Sequence, residues 1–419
     1  MRPVRLSARG NAAPASPIRK LVPIADQARA RGIKVWGLNI GQPDIVTPER
    51  MWEAALKDHP KVLAYSPSAG IPELRSALSG YYEKHGIGLS ADDLIVTTGG
   101  SEAILFAFAV LTDPGDEVMI PEPLYANYLG FGNMLGVKVV PIPTRAEDGY
   151  HLPPRAAWEE RLTSRTRAIL FCNPGNPTGT VYTENEVEMV LGMAQDWGLW
   201  VIADEVYREF CYDGLQHRSI LTWKTVADRV ILVDSISKRF SACGARIGCL
   251  GSTNRELINV ATRYAQARLS PPSVGQWMAT AALTLRDDYY EKLKAEFQKR
   301  RDIVMEEFAR MAGVRCETPR GAFYAMPTLP VEDAEAFAVW MLNEFQDGGE
   351  TVLIAPGNGF YATPGAGQRE GRVAYVFAEE SLRRALRVLA AGLAQYPGRL
   401  KTEGAATAMP EAAGVRHRL

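Results

Sequence analysis

Short apolar runs alternate along this chain with longer stretches in which apolar residues recur every three or four positions. The runs are residues 94–98 (LIVTT), 117–120 (EVMI), 138–141 (KVVP), 168–172 (AILFC), 199–203 (LWVIA) and 230–234 (VILVD), with 247–251 (IGCLG) as a further candidate. Runs this short, bounded by turn residues, predict strands buried on both faces. The intervening stretches 184–197 and 254–268 carry a helical period. Such alternation predicts an α/β fold with a mostly parallel sheet covered by helices on both faces. From about residue 287 the pattern changes. Residues 289–311 form a long amphipathic stretch with Leu293, Phe297, Ile303, Val304 and Phe308 on its apolar side. The segment 321–326, a helix near 334–345, strands near 352–355 and 372–377, and a last helix at 382–395 complete a smaller α+β domain. The expected division is an arm plus part of the small domain at 1–45, a large domain at 46–290, the small domain at 291–397, and a disordered tail at 398–419, where periodicity is lost.

The length of 419 residues exceeds one ordinary core and suggests two or three domains at roughly 150 residues each. Hydrophobic residues make up 47% and charged residues 23%, an ordinary globular balance. A net charge of -1 leaves no basic excess for nucleic acid. The longest apolar run, 103–111, falls far short of the roughly 18–20 residues of a membrane span. The five cysteines form no C-x-x-C pair and the histidines no H-E-x-x-H, which argues against a metal site and for a reducing compartment. The N-terminus, MRPVRLSARGNAAPASP, is basic but lacks the apolar core of a secretory signal. It reads as a flexible arm in preference to an organellar transit peptide, and the expected location is cytoplasmic.

Several of these strands run into polar residues. Ligands of open α/β sheets bind beyond the carboxyl ends of the strands, so these residues are candidates for one site. Gly99-Gly100-Ser101-Glu102 opens a helix straight after a strand, where glycines admit an anion to free N–H groups. Asn173-Pro174-Gly175-Asn176-Pro177-Thr178-Gly179 is a rigid turn that would aim the Asn176 amide. Asp204 ends a very apolar strand, where an acid is costly unless paired, and Tyr207 follows three residues later. Lys238 lies in the loop SISKRFSACGARIG, where neighbouring arginines favour the neutral, nucleophilic amine. The second glycine cluster, 365–371 (GAGQREG), lacks the spacing of a dinucleotide loop and reads as an ordinary loop.

Taken in order, GGSEA, NPGNPTG, ADEVY and SISKRFSACGARIG resemble the fold-type-I aminotransferases, which use pyridoxal 5′-phosphate, over about residues 18–396. The resemblance implies that Lys238 joins the cofactor aldehyde covalently and shuttles the proton at the substrate Cα. It assigns Asp204 to the ring nitrogen, Tyr207 and Asn176 to the ring 3-oxygen, and Tyr125 to the ring face. The amides of Gly100 and Ser101, with Glu102 just behind, would cradle the phosphate together with Ser235 and Arg246. Arg372 would clamp the substrate α-carboxylate, bordered by Gly41 and Asn176. Tyr65 would reach the phosphate of a neighbouring subunit, making the active unit a homodimer with shared sites. The activity implied is amino transfer between an L-amino acid and a 2-oxo acid such as 2-oxoglutarate, with ping-pong kinetics.

Within the family the segments NIGQPDIVTPE and SKRFSACGARIG are most similar to bacterial-type aspartate aminotransferases. A dicarboxylate substrate needs a second cation. Arg268 is the first candidate, acting within the chain or across a dimer, with Arg239 and Lys20 behind it. Aromatic or alanine specificity and a C–S lyase or decarboxylase on the same fold are the alternative enzymes. A cofactor-sensing transcription regulator would need a DNA-binding domain, for which the segment before residue 38 shows no helix-turn-helix pattern.

Overall fold

The computed structural model describes residues 4–57 and 60–401. Strand β1 (Lys34–Gly37) lies apart from the central sheet. That sheet contains β2 (Leu94–Thr97), β3 (Glu117–Glu122), β4 (Lys138–Pro143), β5 (Thr166–Cys172), β6 (Trp200–Asp204), β7 (Val230–Ser235) and β8 (Gly248–Gly251), in the spatial order β2-β8-β7-β6-β5-β3-β4. The pairs from β4 through β7 are parallel, and β8 runs antiparallel to both β2 and β7. A parallel sheet must be covered on both faces, and side chains alternate between them. Ile169, Phe171, Val201 and Ala203 accordingly join one apolar cluster, while Ala168, Leu170 and Ile202 join another. Helices Pro72–Lys84, Glu184–Trp197 and Ser273–Ala282 cover the first face; Gly99–Leu111 and Arg255–Ala267 cover the second.

The sheet register places the polar strand ends side by side. Cys172 pairs with Asp204 and Asp204 with Val233, while both Thr97 and Ser235 pair with Gly248. The ends of β2, β5, β6 and β7 thus open onto one edge, and the helix that follows β2 starts there.

The remaining strands are β9 (Tyr324–Ala325), β10 (Glu350–Leu353), β11 (Ala355–Pro356) and β12 (Gly371–Ala374). β10 pairs in parallel with β1, and β11, β12 and β9 form a small antiparallel sheet. Another apolar cluster joins β9, β10 and β12 to the long helix Asp287–Ala309, to helices Ala334–Asn343 and Glu379–Gln395, and to Ala25 and Leu38 from near the N-terminus. The five residues expected on the long helix's apolar side are all buried in this cluster. Of the tail expected from residue 398, only the start lies within the described residues. The Leu400 N–H donates to the Pro330 carbonyl at 2.8 Å, and Arg399 bridges to Val331. The rest of that tail, from Thr402, lies outside the described residues.

Phe297 is fully buried and stacks on Phe323 at 5.1 Å while meeting the edge of Phe210 at 5.2 Å. Phe297→Ala leaves a void that the buried rings on two separate segments cannot fill, and its expected cost is about 3–5 kcal/mol. Urea unfolding at fixed protein concentration checks this as a lower midpoint with an unchanged slope.

Candidate active site

A cavity of about 570 Å³ opens over the carboxyl edge of the sheet. Of the residues singled out from the sequence, Gly41, Gly100, Ser101, Tyr125, Asn176, Asp204, Tyr207, Ser235, Lys238, Arg246 and Arg372 line it. They come from segments far apart in the chain, and their arrangement has three electrostatic parts.

One end is built for an anion. Helix Gly99–Leu111 points its free N–H groups at the cavity. Glu102 accepts from the Thr98 N–H at 2.8 Å and so closes the turn behind. Arg246 adopts a left-handed backbone (φ 54°) and reaches over this helix start. A Cβ on Gly99, itself at φ +74°, would lie 2.6 Å from Arg246 Nη2, so a side chain there would fill the cradle. The Ser235 hydroxyl stands at the same end, 2.8 Å from Ser237 Oγ.

The middle holds a buried acid and an amine. Asp204 Oδ2 accepts from the Tyr128 hydroxyl at 2.7 Å and Oδ1 from the Val206 N–H at 3.3 Å. No lysine or arginine among the described residues pairs with this carboxylate. Burial pushes its carboxyl up from 3.8 to about 6, while the Tyr128 and Val206 hydrogen bonds and the charge of Lys238 act in the opposite direction. Lys238 Nζ donates to the Gly41 carbonyl at 2.8 Å. The Tyr207 and Tyr324 hydroxyls are 2.8 Å apart, and burial raises the Tyr207 phenol. Tyr125 accepts from Asn127 Nδ2 at 2.7 Å, and its ring meets Tyr128 edge-on.

The far wall is a buried cation. Arg372 is 1% exposed, donates to Asn176 Oδ1 at 2.8 Å and to the Asn39 carbonyl at 2.6 Å, and leaves Nε without a partner. Among the described residues no carboxylate neutralises it, and burial lowers its affinity for the proton. Gly41 borders this wall closely, because a Cβ there would lie 1.9 Å from Tyr324 Oη.

Three residues expected near the ligand do not line this cavity. Glu102 stands behind the helix start. Tyr65 is 79% exposed. Arg268 forms an ion pair with Glu102 at 3.0 Å and donates to the carbonyls of Ser68 and Val96. Within this chain, then, Arg268 neutralises the acid that braces the helix and offers no cation to the cavity. The two weaker candidates are also engaged: Arg239 is buried in an ion pair with Asp234, and Lys20 pairs with Glu335. Residues missed from the sequence are Tyr128, which orients Asp204; Tyr324, which orients Tyr207; Asn39, which holds Arg372; and Arg19, which lines the mouth. Tyr128 in PLYANYLG and Asn39 in LNIGQPD stand within segments already marked as chemical, but nothing local tells which polar residue supports another.

Pyridoxal 5′-phosphate, implied by the resemblance, combines a phosphate, a basic ring nitrogen and an aldehyde. The anion cradle left open by Gly99, the buried carboxylate without a cation and the lysine answer these three groups in kind. Among the described residues no group of three or more His, Cys, Asp or Glu could hold a metal ion, and no helix is long and apolar enough to cross a membrane.

Comparison with known proteins agrees with this fit. Residues 33–389 match the family described as aminotransferase class I and II. An aspartate aminotransferase of Pyrococcus horikoshii is 31% identical, covering 83% of this chain and 88% of its own length. An aromatic-amino-acid aminotransferase of Thermococcus litoralis is 32% identical, covering 88% and 94%. Among solved structures, an alanine aminotransferase from Pyrococcus furiosus superposes with a TM-score of 0.84 at 31% identity, covering 92% of this chain and 99% of that one.

The raised Asp204 carboxyl has a consequence for the protein free of cofactor. Between pH 4 and about 6 the folded state holds a proton at Asp204 that the unfolded chain releases. Stability from this group is therefore present below pH 4 and lost as pH rises to about 6. The loss is on the order of 3 kcal/mol, at about 1.4 kcal/mol per pH unit. Asp204→Asn removes it, so the variant's thermal midpoint, measured without cofactor, should gain on wild type across that window and run parallel outside it.

Proposed function

The chain belongs to the class I and II aminotransferases, whose cofactor is pyridoxal 5′-phosphate, and from that membership we propose that it moves an amino group between an L-amino acid, with aspartate favoured, and a 2-oxo acid such as 2-oxoglutarate. The observation that carries this reading is that the Lys238 amine and the buried Asp204 carboxylate line one cavity whose far wall is the uncompensated Arg372 guanidinium. When bound, the cofactor supplies a carbonyl that takes up the amino group and a ring that accepts the charge left at the substrate Cα.

The residues divide the work by charge. The Gly100 and Ser101 amides, Ser235 and Arg246 would hold the phosphate. The Asp204 carboxylate, kept in place by Tyr128, would keep the ring nitrogen protonated. That opposite charge also reverses the cost of burying Asp204. The Asn176 side-chain N–H groups remain available because its oxygen is taken by Arg372, so Asn176 and Tyr207 would donate to the ring 3-oxygen. Tyr125 would cover the ring face. Arg372 would bind the α-carboxylate through its fork. Lys238, released from the Gly41 carbonyl, would take the proton from the substrate Cα and return it on the other side of the exchange. Because one cavity serves donor and acceptor in turn, ping-pong kinetics follow.

We further propose a homodimer. Val62 (74%), Leu63 (66%) and Tyr65 (79%) are strongly exposed for apolar residues in one short segment. Such a patch is suited to an interface, where Tyr65 would approach the partner's phosphate site.

Lys238→Ala should lower transamination by at least about 100-fold and abolish the borohydride-fixed cofactor adduct that mass spectrometry finds at residue 238 of the wild type. An active variant, or an adduct elsewhere, contradicts the reading. Steady-state rates with aspartate, alanine, phenylalanine and tyrosine against 2-oxoglutarate rank the donors, with aspartate expected first.

A further inference from the structure

Four arginine or lysine side chains line the cavity, and three of them are engaged. Arg246 serves the anion cradle, Lys238 donates to Gly41, and Arg372 is held by Asn176 and Asn39. The fourth is Arg19, at the mouth. Among the described residues its guanidinium has no hydrogen-bond or ion-pair partner, although its backbone is fixed.

The fixing is specific. Pro17 is buried against the bare backbone of Gly359, with its Cβ 2.0 Å from where a side chain on that glycine would begin. The Ile18 carbonyl accepts from the buried Asn39 amide at 2.7 Å. Asn39 in turn offers its own carbonyl to Arg372 at 2.6 Å. The N–H groups of Arg19 and Lys20 both turn back to the Ser16 carbonyl, at 3.1 and 2.9 Å. Adjacent residues of such a turn project in different directions. Lys20 goes outward to Glu335, and Arg19 is left facing the cavity. Burial pushes the Tyr125 phenol up to about 12, and the charges of Arg372 and Arg19 both act against that rise, so the two cations bear on the same region.

A cation this well placed and this free suits a second anion on the ligand that Arg372 anchors. We infer that Arg19 is the specificity-determining cation of this enzyme, binding the distal carboxylate of a four- or five-carbon dicarboxylic substrate whose α-carboxylate lies on Arg372. This deepens the transamination reading and rests on it. It also gives to Arg19 the task that the sequence suggested for Arg268. Monocarboxylic donors would use Arg372 alone and be indifferent to Arg19.

The test uses cofactor-loaded enzyme and two ligands of equal carbon number, succinate and butyrate, which differ in the second carboxylate. Calorimetry on the wild type should show succinate bound more tightly. Arg19→Met, which keeps the stem and removes the charge, should lower succinate affinity about 10- to 100-fold, the range of a lost charge-assisted hydrogen bond. Butyrate binding should not change. Arg19→Lys should recover part of the loss. In kinetics, kcat/KM for aspartate should fall by a similar factor in Arg19→Met while that for alanine holds. A wild type without succinate preference, a preference that survives Arg19→Met, or an equal loss for both ligands overturns the assignment. The adduct at residue 238 reports separately. An enzyme that carries it and transaminates alanine, yet ignores the second carboxylate, refutes Arg19 alone. A chain that lacks it refutes the transamination reading, and the succinate–butyrate difference still decides what Arg19 binds.

Discussion

A carboxylate removed from water must find a cation or keep its proton, and Asp204 has been given neither a lysine nor an arginine partner. Two hydrogen bonds, from Tyr128 and Val206, hold it at the end of β6 and do not offset the burial that raises its carboxyl to about 6. A fold with no use for this group would gain by replacing it with an apolar residue, as it has at most other positions of the sheet. The same holds with opposite sign for Arg372, buried and without a counterion. These two uncompensated charges are a debt that only a ligand of matching polarity settles, and the rest of the site is arranged between them.

The arrangement depends on register more than on any loop. Because Cys172, Asp204 and Val233 are neighbours across β5, β6 and β7, the segments that follow carry Asn176, Tyr207 and Lys238 onto the same edge. Because Thr97 and Ser235 share Gly248 as a partner, the helix start after β2 stands next to Ser235. Slipping any of these strands by one residue would turn its inward side chains to the other face and lift the polar group away from its neighbours. The deep apolar packing on both faces of the sheet is therefore also what holds the geometry of the cavity.

Much of this was legible in the sequence, and the boundary between what was and was not follows from range. The helix expected at 184–197 begins and ends at those residues, because Thr183 and Glu186 form a capping box at one end and Gly198 takes a left-handed turn at the other. The strand-end groups were legible because each sits immediately after an apolar run, where its polarity is conspicuous. Supporting residues were not. Tyr128 differs in no local way from any half-apolar helix residue, and only the fold shows its hydroxyl on Asp204. Arg268 and Arg239 looked available as cations because their counterions, Glu102 and Asp234, are distant in sequence or face them only after folding.

Arg19 marks the same boundary from the other side. Its neighbour Lys20 attracted notice as a cation, yet a single turn of backbone decides which of the two meets the cavity. Nothing in SPIRKL states that choice; the Pro17–Gly359 contact, the Ile18–Asn39 bond and the Lys20–Glu335 pair make it together. The chemistry of the reaction is written into short motifs on the central sheet, since every substrate needs it. Preference for a dicarboxylic substrate, as inferred, rests on Arg19, which reaches the cavity from the N-terminal segment and is positioned in part by contacts more than 300 residues away. Relatives at 31–32% identity carry both aspartate and aromatic-amino-acid aminotransferase names. The side chains that discriminate have to be read from the folded cavity, one partner at a time.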